Sequence, residues 1–269
     1  MTFPPPLNDR KSTERLHYER IAALHEEEIS QKGMKSGPDS VPPFLQAPYK
    51  DFARIVRSLT GPDTLVVDVA AGTGVHSLAA GADARIFALD ISPESLLVAR
   101  QRSEAAGLSL LLAVADGETL PLRNHVANLV TSAGSLYCFD PARLINEVTR
   151  LLSPTGSWVI VDSFRHNPIY SANRMLGYLR GRRTRLAVTN IPGRRTIRLL
   201  SNAFGEVQVN YYGMFSFLGP ILSTIIGGLR AATVLDAMDR RMQWAGLLAF
   251  KVVIIARKPH LSRPTKTRR

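Results

Sequence analysis

Three short apolar segments of the chain each carry an aspartate at their end. Asp68 lies in the segment TLVVDVA, Asp90 closes RIFALD, and Asp116 follows SLLLAVA. Ligands of open parallel sheets bind at the carboxyl ends of the strands, so these carboxylates are expected to border one site. A carboxylate after the second strand can accept both hydroxyls of a ribose, and one after the third can accept from an adenine amino group. The spacing therefore predicts a site for a nucleoside-bearing cofactor.

A turn of small residues follows the first of these segments and contains Ala70, Gly72 and Gly74. Small residues let the backbone approach a ligand closely, and a helix start offers unpaired N–H groups. We therefore expect a helix over residues 72–80. The turn lacks the G-x-G-x-x-G pattern of dinucleotide-binding domains, and no Lys-Ser or Lys-Thr follows it as in a phosphate-binding P-loop.

The elements that must position these residues alternate between strands and helices. Strands are predicted over residues 64–70, 85–90, 109–115, 126–132, 156–162, 205–212 and 247–256. Helices are predicted over residues 14–29, 49–59, 72–80, 93–106, 141–152 and 214–235. Strands with few polar residues, alternating with helices, indicate an α/β fold with a parallel sheet covered on both faces.

Composition excludes several classes of protein and leaves the partner open. The chain has 269 residues, of which 45% are hydrophobic and 21% charged, which is globular usage. Its single cysteine, Cys138, excludes a disulfide scaffold and a thiolate zinc cluster. Residues 163–269 carry 19 basic and 3 acidic side chains, which points to nucleic acid, lipid headgroups, a phosphorylated substrate or a merely solvated basic surface. With no signal peptide visible, the cytoplasm is the expected compartment, with membrane association as an option.

Residues 60–163 resemble the class I S-adenosylmethionine-dependent methyltransferases. The resemblance rests on DVAAGTG after the first strand, DISPESL after the second, ADGETLPL after the third, and EVTRLLSPTGSWVIVD before the end of the fifth. It implies a Rossmann-like seven-stranded sheet of order 3-2-1-4-5-7-6 with the last strand antiparallel. It also implies S-adenosylmethionine as cofactor and S-adenosylhomocysteine as product.

The resemblance also implies a role for each cofactor-binding residue. The backbone of the small-residue turn would bind the methionine part, with Asp68 near its ammonium group. Asp90 with Ile91 would hold the ribose, Asp116 and Gly117 would flank the adenine, and Ser132 with residues 133 and 134 would form the floor beneath the methyl group. Ala70 replaces a glycine of the family motif, a change expected to be tolerated if its φ stays negative. No metal site is expected.

Methyl transfer is an in-line displacement that does not always need a protein base. If one is used, His166 and Tyr137 are the candidates, because both follow strands that end near the site. Asp162 and Arg165 are weaker candidates, and His76 lies in the cofactor turn. Each of these side chains is expected to be structural rather than catalytic.

The segment from Met214 to Gly228 has no charged residue and is too short to span a bilayer. It is read first as a cap over an apolar substrate and second as a site of shallow contact with an anionic membrane. The division expected is an N-terminal extension with a lid helix (residues 1–50), a cofactor-binding core (51–163), the rest of the sheet with cap insertions (164–258) and a basic tail (259–269).

The function expected is methylation of a small, apolar or amphiphilic acceptor at oxygen, nitrogen or carbon by a monomer or homodimer. The first alternative is an RNA or protein methyltransferase using the basic second half. Nucleic acid is the less favoured partner, because SAGS over residues 132–135 does not match the D/N/S-P-P-Y/F signature of base-amino methylating enzymes. The second alternative is a non-catalytic cofactor-binding or scaffold protein.

Overall fold

The structure is a computed structural model that describes residues 11–20 and 37–260. Its centre is one seven-stranded sheet of order β3-β2-β1-β4-β5-β7-β6. Strands β1 to β5 pair in parallel, and β7 runs antiparallel to both β5 and β6. The predicted strand order and the antiparallel last strand are confirmed.

The strands are β1 (Leu65–Val69), β2 (Arg85–Asp90), β3 (Leu110–Val114), β4 (Ala127–Ala133), β5 (Leu152–Ser163), β6 (Phe204–Tyr212) and β7 (Lys251–Pro259). Residues 11–20 are helical and are called α1. The other α-helices of the described residues are α2 (Ala47–Ser58), α3 (Pro93–Ala105), α4 (Pro141–Leu151), α5 (Pro168–Leu179), α6 (Leu186–Thr189), α7 (Arg194–Ala203), α8 (Gly219–Ile226) and α9 (Gly228–Arg241).

Both faces of the sheet are buried, as the apolar strand segments predicted. On β1, Val67 and Val69 belong to one hydrophobic cluster and Val66 to the other, because side chains alternate between the faces of a strand. Helices α4 and α7 cover the first face, and α2 covers the second. A sheet buried in this way leaves its strand ends as the natural place for a ligand.

Three helices begin at a polar residue followed by proline, and the starts of α3 and α4 agree with the sequence prediction. Ser92 before α3 accepts a hydrogen bond from the backbone of Ser95. Asp140 before α4 and Asn167 before α5 each accept from two backbone N–H groups of the first turn. These side chains satisfy donors that would otherwise be unpaired, and proline tolerates the first helical position.

The helix predicted over residues 72–80 is not formed. Gly72 and Gly74 have φ values of +54° and +71°, so the chain leaves β1 through consecutive turns. Only a short 3-10 turn, Ser77–Ala80, follows before Gly81 at φ +77° ends it. Left-handed glycines interrupt the α-helical path, so one helical turn replaces the expected helix.

The apolar segment predicted as one helix over residues 214–235 is also divided. Gly227 has a φ of +83° and separates α8 from α9. The last strand begins at Lys251, four residues later than predicted, because Gln243–Leu248 form a 3-10 turn. The single helix and the early strand start were both predicted from continuous apolar segments, which do not indicate a change of backbone direction.

Candidate active site

A cavity of about 260 Å³ lies at the carboxyl ends of β1, β2 and β4. It is lined by seven of the nine residues predicted to bind the cofactor, namely Asp68, Ala70, Gly72, Asp90, Ile91, Asp116 and Gly117. The aspartates that follow three different strands are thus brought to one site. This placement is what parallel pairing of β1, β2 and β3 requires, since their carboxyl ends meet at one edge.

Asp68 is a buried carboxylate held by two hydroxyl groups. Ser77 Oγ donates to its Oδ2 at 2.5 Å, and Thr131 Oγ1 donates to its Oδ1 at 2.8 Å. Burial raises the pKa of Asp68 to about 6, and the two hydroxyl donors oppose that rise. A cationic ligand group beside this carboxylate would stabilise its ionised form.

The turn after β1 corrects the expectation for Ala70. Its φ is +56°, in the left-handed region, and not negative as the tolerated substitution would require. The turn is stabilised where the Ala71 N–H donates to the Leu89 carbonyl at 3.0 Å. A residue with a Cβ in this region is strained, and such strain collects at ligand sites.

Replacing Ala70 with glycine is therefore expected to stabilise the unliganded protein. Relief of left-handed strain contributes about 1–2 kcal/mol, and the extra freedom of glycine in the unfolded chain offsets about 0.4–1 kcal/mol of it. A higher urea midpoint with an unchanged slope would show this gain. A lower midpoint would mean that the alanine methyl group makes contacts worth more than its strain.

Asp90 organises the same turn from the end of β2. Its Oδ2 accepts a hydrogen bond from the Gly72 N–H at 2.7 Å, and its Oδ1 accepts from the Ser92 N–H at 2.9 Å. Burial raises its pKa, and the backbone donors oppose that rise. Each carboxylate oxygen can accept a second hydrogen bond, so Asp90 retains capacity for the two hydroxyls of a ribose.

Asp116 and Gly117 form the side of the cavity where adenine was predicted. The Lys11 ammonium group of α1 contacts the Asp116 carboxylate and lies 3.0 Å from Glu118 Oε2. A Cβ on Gly117 would lie 2.7 Å from the ring of Phe139, so a side chain there would collide with the cavity wall. The lysine therefore ties the N-terminal helix to this side of the site.

Two predicted cofactor residues do not line the cavity. Gly74 packs against α3, where an added Cβ would lie 2.9 Å from the Cβ of Ala99. Ser132 is buried, and its Oγ accepts a hydrogen bond from the Trp158 indole at 3.2 Å. Alternation along β4 turns Ser132 into the core, so Ala133, Gly134 and Ser135 form the floor instead.

A lid helix was predicted from the sequence, but the residues of α1 that line the cavity were not. Lys11, Glu14 and Tyr18 all line it. Their spacing of three and four residues puts them on one face of a helix, so the pattern could have been found. The remainder of the predicted lid helix, residues 21–29, falls outside the described residues.

A second cavity, of about 320 Å³, shares Tyr18 and Gly134 with the first. Its other walls include Tyr137, Asp162, Arg174, Arg183, Phe250 and Lys251. The two cavities therefore meet at the floor beyond β4. A ligand in the second cavity would face a ligand in the first across these shared residues.

Tyr137 lies in the second cavity, where its hydroxyl group is hydrogen-bonded to that of Tyr18. Burial raises the pKa of both phenols well above the usual value of 10. Both remain protonated at neutral pH, so this pair can donate hydrogen bonds but cannot begin a reaction as an ionised base.

His166 does not reach either cavity. Its Nε2 accepts from the Arg194 N–H at 3.4 Å, and its ring packs edge-on against the buried Phe164. Burial lowers its pKa, with Arg194 and Arg165 adding to the effect. The chain leaves β5 towards the start of α7, and this path takes the imidazole away from the site.

Asp162, at the end of β5, is buried in the wall of the second cavity. Its two oxygens accept hydrogen bonds from the backbone N–H groups of Leu136 at 2.8 Å and Ser163 at 2.5 Å. Burial raises its pKa. Its bonds hold the segment after β4 in place, a positioning role that needs no proton transfer.

Among residues 11–20 and 37–260 no helix is long and apolar enough to cross a membrane. In the same residues, no group of three or more His, Cys, Asp and Glu side chains could hold a metal ion.

Comparison with known proteins identifies the central domain. Residues 67–160 match a protein-family model described as a methyltransferase domain. The chain is 32% identical over 126 residues to "Ubiquinone/menaquinone biosynthesis C-methyltransferase UbiE" of Bordetella parapertussis, an alignment covering 45% of this chain and 48% of that protein. It spans only 24% to 48% of the length of the first curated relatives it matches.

Solved structures extend the likeness in fold to nearly the whole chain. Geranyl diphosphate C-methyltransferase from Streptomyces coelicolor A3(2), solved with Mg²⁺, geranyl-S-thiolodiphosphate and S-adenosylhomocysteine, matches with a TM-score of 0.62 and 15% identity over 95% of this chain and 100% of that one. The [4+2]-cyclase SpnF matches with a TM-score of 0.60 and 17% identity over 96% and 99%. The second match shows that the fold alone does not determine the reaction.

The family match and the sheet order agree with the resemblance read from the sequence. The cofactor of this family is S-adenosylmethionine, in agreement with the cofactor predicted. Residues 67–160 therefore match a methyltransferase domain, and the chain has the Rossmann-like fold of the class I S-adenosylmethionine-dependent methyltransferases.

Proposed function

We propose that the chain is a methyltransferase that transfers the methyl group of S-adenosylmethionine to a small acceptor with an apolar part. One observation carries this proposal: the cavity lined by three strand-end carboxylates adjoins a second cavity at Tyr18 and Gly134. The first would hold the cofactor and the second the acceptor. The aromatic side chains Tyr49, Tyr137 and Phe250 in the second cavity favour an acceptor with apolar surface.

The residues of the first cavity fit this cofactor. Asp68 would accept from the ammonium group of the methionine part, and Asp90 from the ribose hydroxyls. Asp116 and Gly117 would border the adenine, with Lys11 holding α1 over this end of the site. The segment after β4, from Ala133 to Ser135, would lie beneath the reacting methyl group.

When bound, S-adenosylmethionine supplies an electrophilic methyl group on its sulfonium. The chain supplies orientation, because the shared floor at Gly134 sets the direction in which the two cavities face each other. Tyr18 and Tyr137 retain their protons, and the hydroxyl that does not donate within the pair can donate to the acceptor. Asp162 already accepts hydrogen bonds from two backbone N–H groups, so we propose that catalysis rests on proximity and exclusion of water.

Cofactor affinity is expected to rise with pH through the ionisation of Asp68. Its folded-state pKa of about 6 exceeds the ordinary value of 3.8, so the unliganded carboxyl is largely protonated at pH 5 and ionised at pH 7. An ammonium group binds the ionised form, so affinity for S-adenosylhomocysteine should increase about tenfold between these pH values. Calorimetric titration across this range measures the change.

Asp68→Asn should remove most of this pH dependence. Asp239 serves as a matched control: burial also raises its pKa to about 6, but it binds the backbone of Gly213 and Met214 away from the cofactor cavity. Asp239→Asn should show the same dependence of cofactor affinity on pH as the native protein. An equal slope in Asp68→Asn would show that another group titrates with binding.

Transfer of labelled methyl groups tests the proposed reaction. Purified protein with methyl-labelled S-adenosylmethionine would be offered small phenols, alcohols and amines, amphiphilic acceptors, and bulk RNA and protein. Label in a small or amphiphilic molecule supports the proposal. Label only in RNA or protein would support the first alternative, which rests on the basic side chains of residues 163–269. Cofactor binding without turnover would favour a non-catalytic role or another reaction.

The remaining expectations stay predictions. The division at residues 50, 163 and 258 is one, and limited proteolysis would test it. Peripheral contact with an anionic membrane is another, favoured by exposed Ile221 and Ile225 on α8 and Leu229 on α9. Co-sedimentation with anionic and neutral vesicles tests it, and equal recovery with both would oppose it.

A further inference from the structure

Arg174 on α5 is a buried cation without a hydrogen-bond partner. Only 3% of the residue is exposed, and both Nη1 and Nη2 lack a partner within hydrogen-bond distance. Arg174 is one of the residues that line the second cavity. A buried polar group left unpaired is costly, and a charged one more so, so a side chain held in this state needs a reason.

The neighbours of Arg174 pack against its side chain but accept no hydrogen bond from its Nη groups. Its guanidinium carbon lies 5.3 Å from the centre of the Phe250 ring, a cation–π contact that uses no N–H group. Asp162 lines the same cavity and its charge favours the cation, but its two oxygens accept from backbone N–H groups and neither accepts a hydrogen bond from Arg174. Burial lowers the pKa of Arg174 to about 10, with the nearby charge of Arg183 adding to the effect, so the group stays cationic at neutral pH.

Two further cations line the same cavity. The Arg183 side chain packs against α5 at Gly177. A Cβ added to Gly177 would lie 3.2 Å from Arg183 Cδ. Lys251 at the start of β7 has its Nζ 5.0 Å from the Tyr49 ring and 5.8 Å from the Phe250 ring. Among the described residues of this cavity, these three cations outnumber the single carboxylate, Asp162. The cavity therefore favours an anion.

We propose that the methyl acceptor carries an oxyanion, a carboxylate or phosphoryl group, that binds to Arg174 in the second cavity. The two free Nη groups form the fork that pairs with two oxygens of such an anion, and Arg183 and Lys251 add charge around it. This inference rests on the proposed function. It makes the acceptor amphiphilic, with its anionic end at Arg174 and its reacting end towards Gly134 and Tyr18.

The structural alternative is that Arg174 only packs against Phe250. The two readings predict opposite effects of Arg174→Met in the absence of any anion. If the guanidinium is reserved for a ligand, removing an unpaired buried charge should leave the melting temperature unchanged or raise it. If the guanidinium is a structural group, the variant should melt several degrees below the native protein.

The anion site is tested by thermal melts of the full chain with inorganic phosphate, pyrophosphate or benzoate, each against sodium chloride of equal ionic strength. The proteins are the native chain, Arg174→Met and the control Arg182→Met, which removes an exposed arginine outside both cavities. At least one probe should raise the melting temperature of the native chain and of Arg182→Met saturably. Arg174→Met should lower the affinity for that probe at least about tenfold, the loss expected when hydrogen bonds to a charged group are removed.

The response to phosphates against benzoate distinguishes a phosphoryl acceptor from a carboxylate. No response of the native chain to any probe, an equal response in Arg174→Met, or a large loss of stability in Arg174→Met without anion would each overturn the proposal. Melts with S-adenosylhomocysteine are recorded in parallel. A native chain that responds to S-adenosylhomocysteine but to no probe refutes the anion site alone, whereas failure to bind S-adenosylhomocysteine counts against the proposed function.

Discussion

Replacement of Asp90 with alanine is expected to weaken binding of S-adenosylhomocysteine by about 10²–10⁴-fold. A hydrogen bond to a charged group contributes about 1.5–3 kcal/mol, and two ribose hydroxyls on one carboxylate therefore contribute about 3–6 kcal/mol. The carboxylate also holds the Gly72 and Ser92 N–H groups, so its loss further disorders the turn beneath the ligand.

Thermal melts with and without S-adenosylhomocysteine measure this loss. The native chain should gain several degrees at saturating ligand, and Asp90→Ala should gain none. Asp83→Ala is the matched control, because Asp83 is exposed in the turn before β2. An Asp90→Ala variant that melts cooperatively and keeps the full ligand shift would place the ribose elsewhere.

Gly74→Ala is expected to lower the free energy of unfolding by about 2–5 kcal/mol. Left-handed backbone costs alanine about 1–2 kcal/mol, and forcing a methyl group into a packed interface costs about 1–3 kcal/mol more. The collision is with α3, where the Cα of Ala99 would lie 3.1 Å and its Cβ 2.9 Å from the new atom. Helix backbone cannot move aside as a flexible side chain can.

Gly72→Ala separates the two costs within the same turn. Gly72 also has a positive φ, +54°, but nothing lies within 4 Å of an added Cβ. The free energy of unfolding of Gly72→Ala should therefore fall only by the cost of a left-handed backbone for alanine, about 1–2 kcal/mol. Urea unfolding of both variants measures the difference. Equal losses would mean that α3 does not press on the turn as the structure indicates.

Sequence reasoning predicted the sheet well because its strands are short apolar segments with clear ends. β2 begins at Arg85 and ends at Asp90 as predicted, and α3 begins at Pro93 after its capping serine. It failed over residues 72–80 and 214–235, where glycines with positive φ redirect the chain inside an apolar pattern. A hydrophobic pattern reports burial, and it does not report the sign of a backbone angle.

The candidate site shows the same division. Asp68, Asp90 and Asp116 could be placed together because parallel strands end at one edge. Ser132 and His166 could not be placed, since their directions depend on Trp158 and Arg194, which are distant in the chain. A lid helix was predicted, but Lys11 could not be placed beside Asp116, because this contact spans 105 residues of sequence.

The sequence by itself determined the fold class, the strand order through its family motifs, and the strand-end carboxylates of the cofactor cavity. These depend on local patterns and on the geometry of parallel sheets, which any such sequence must obey. Only the tertiary structure decided that Ala70 has a positive φ, that His166 lies outside the two cavities and that the buried Nη atoms of Arg174 lack hydrogen-bond partners. Each of these is set by packing between elements far apart in the chain, and no local pattern encodes such contacts.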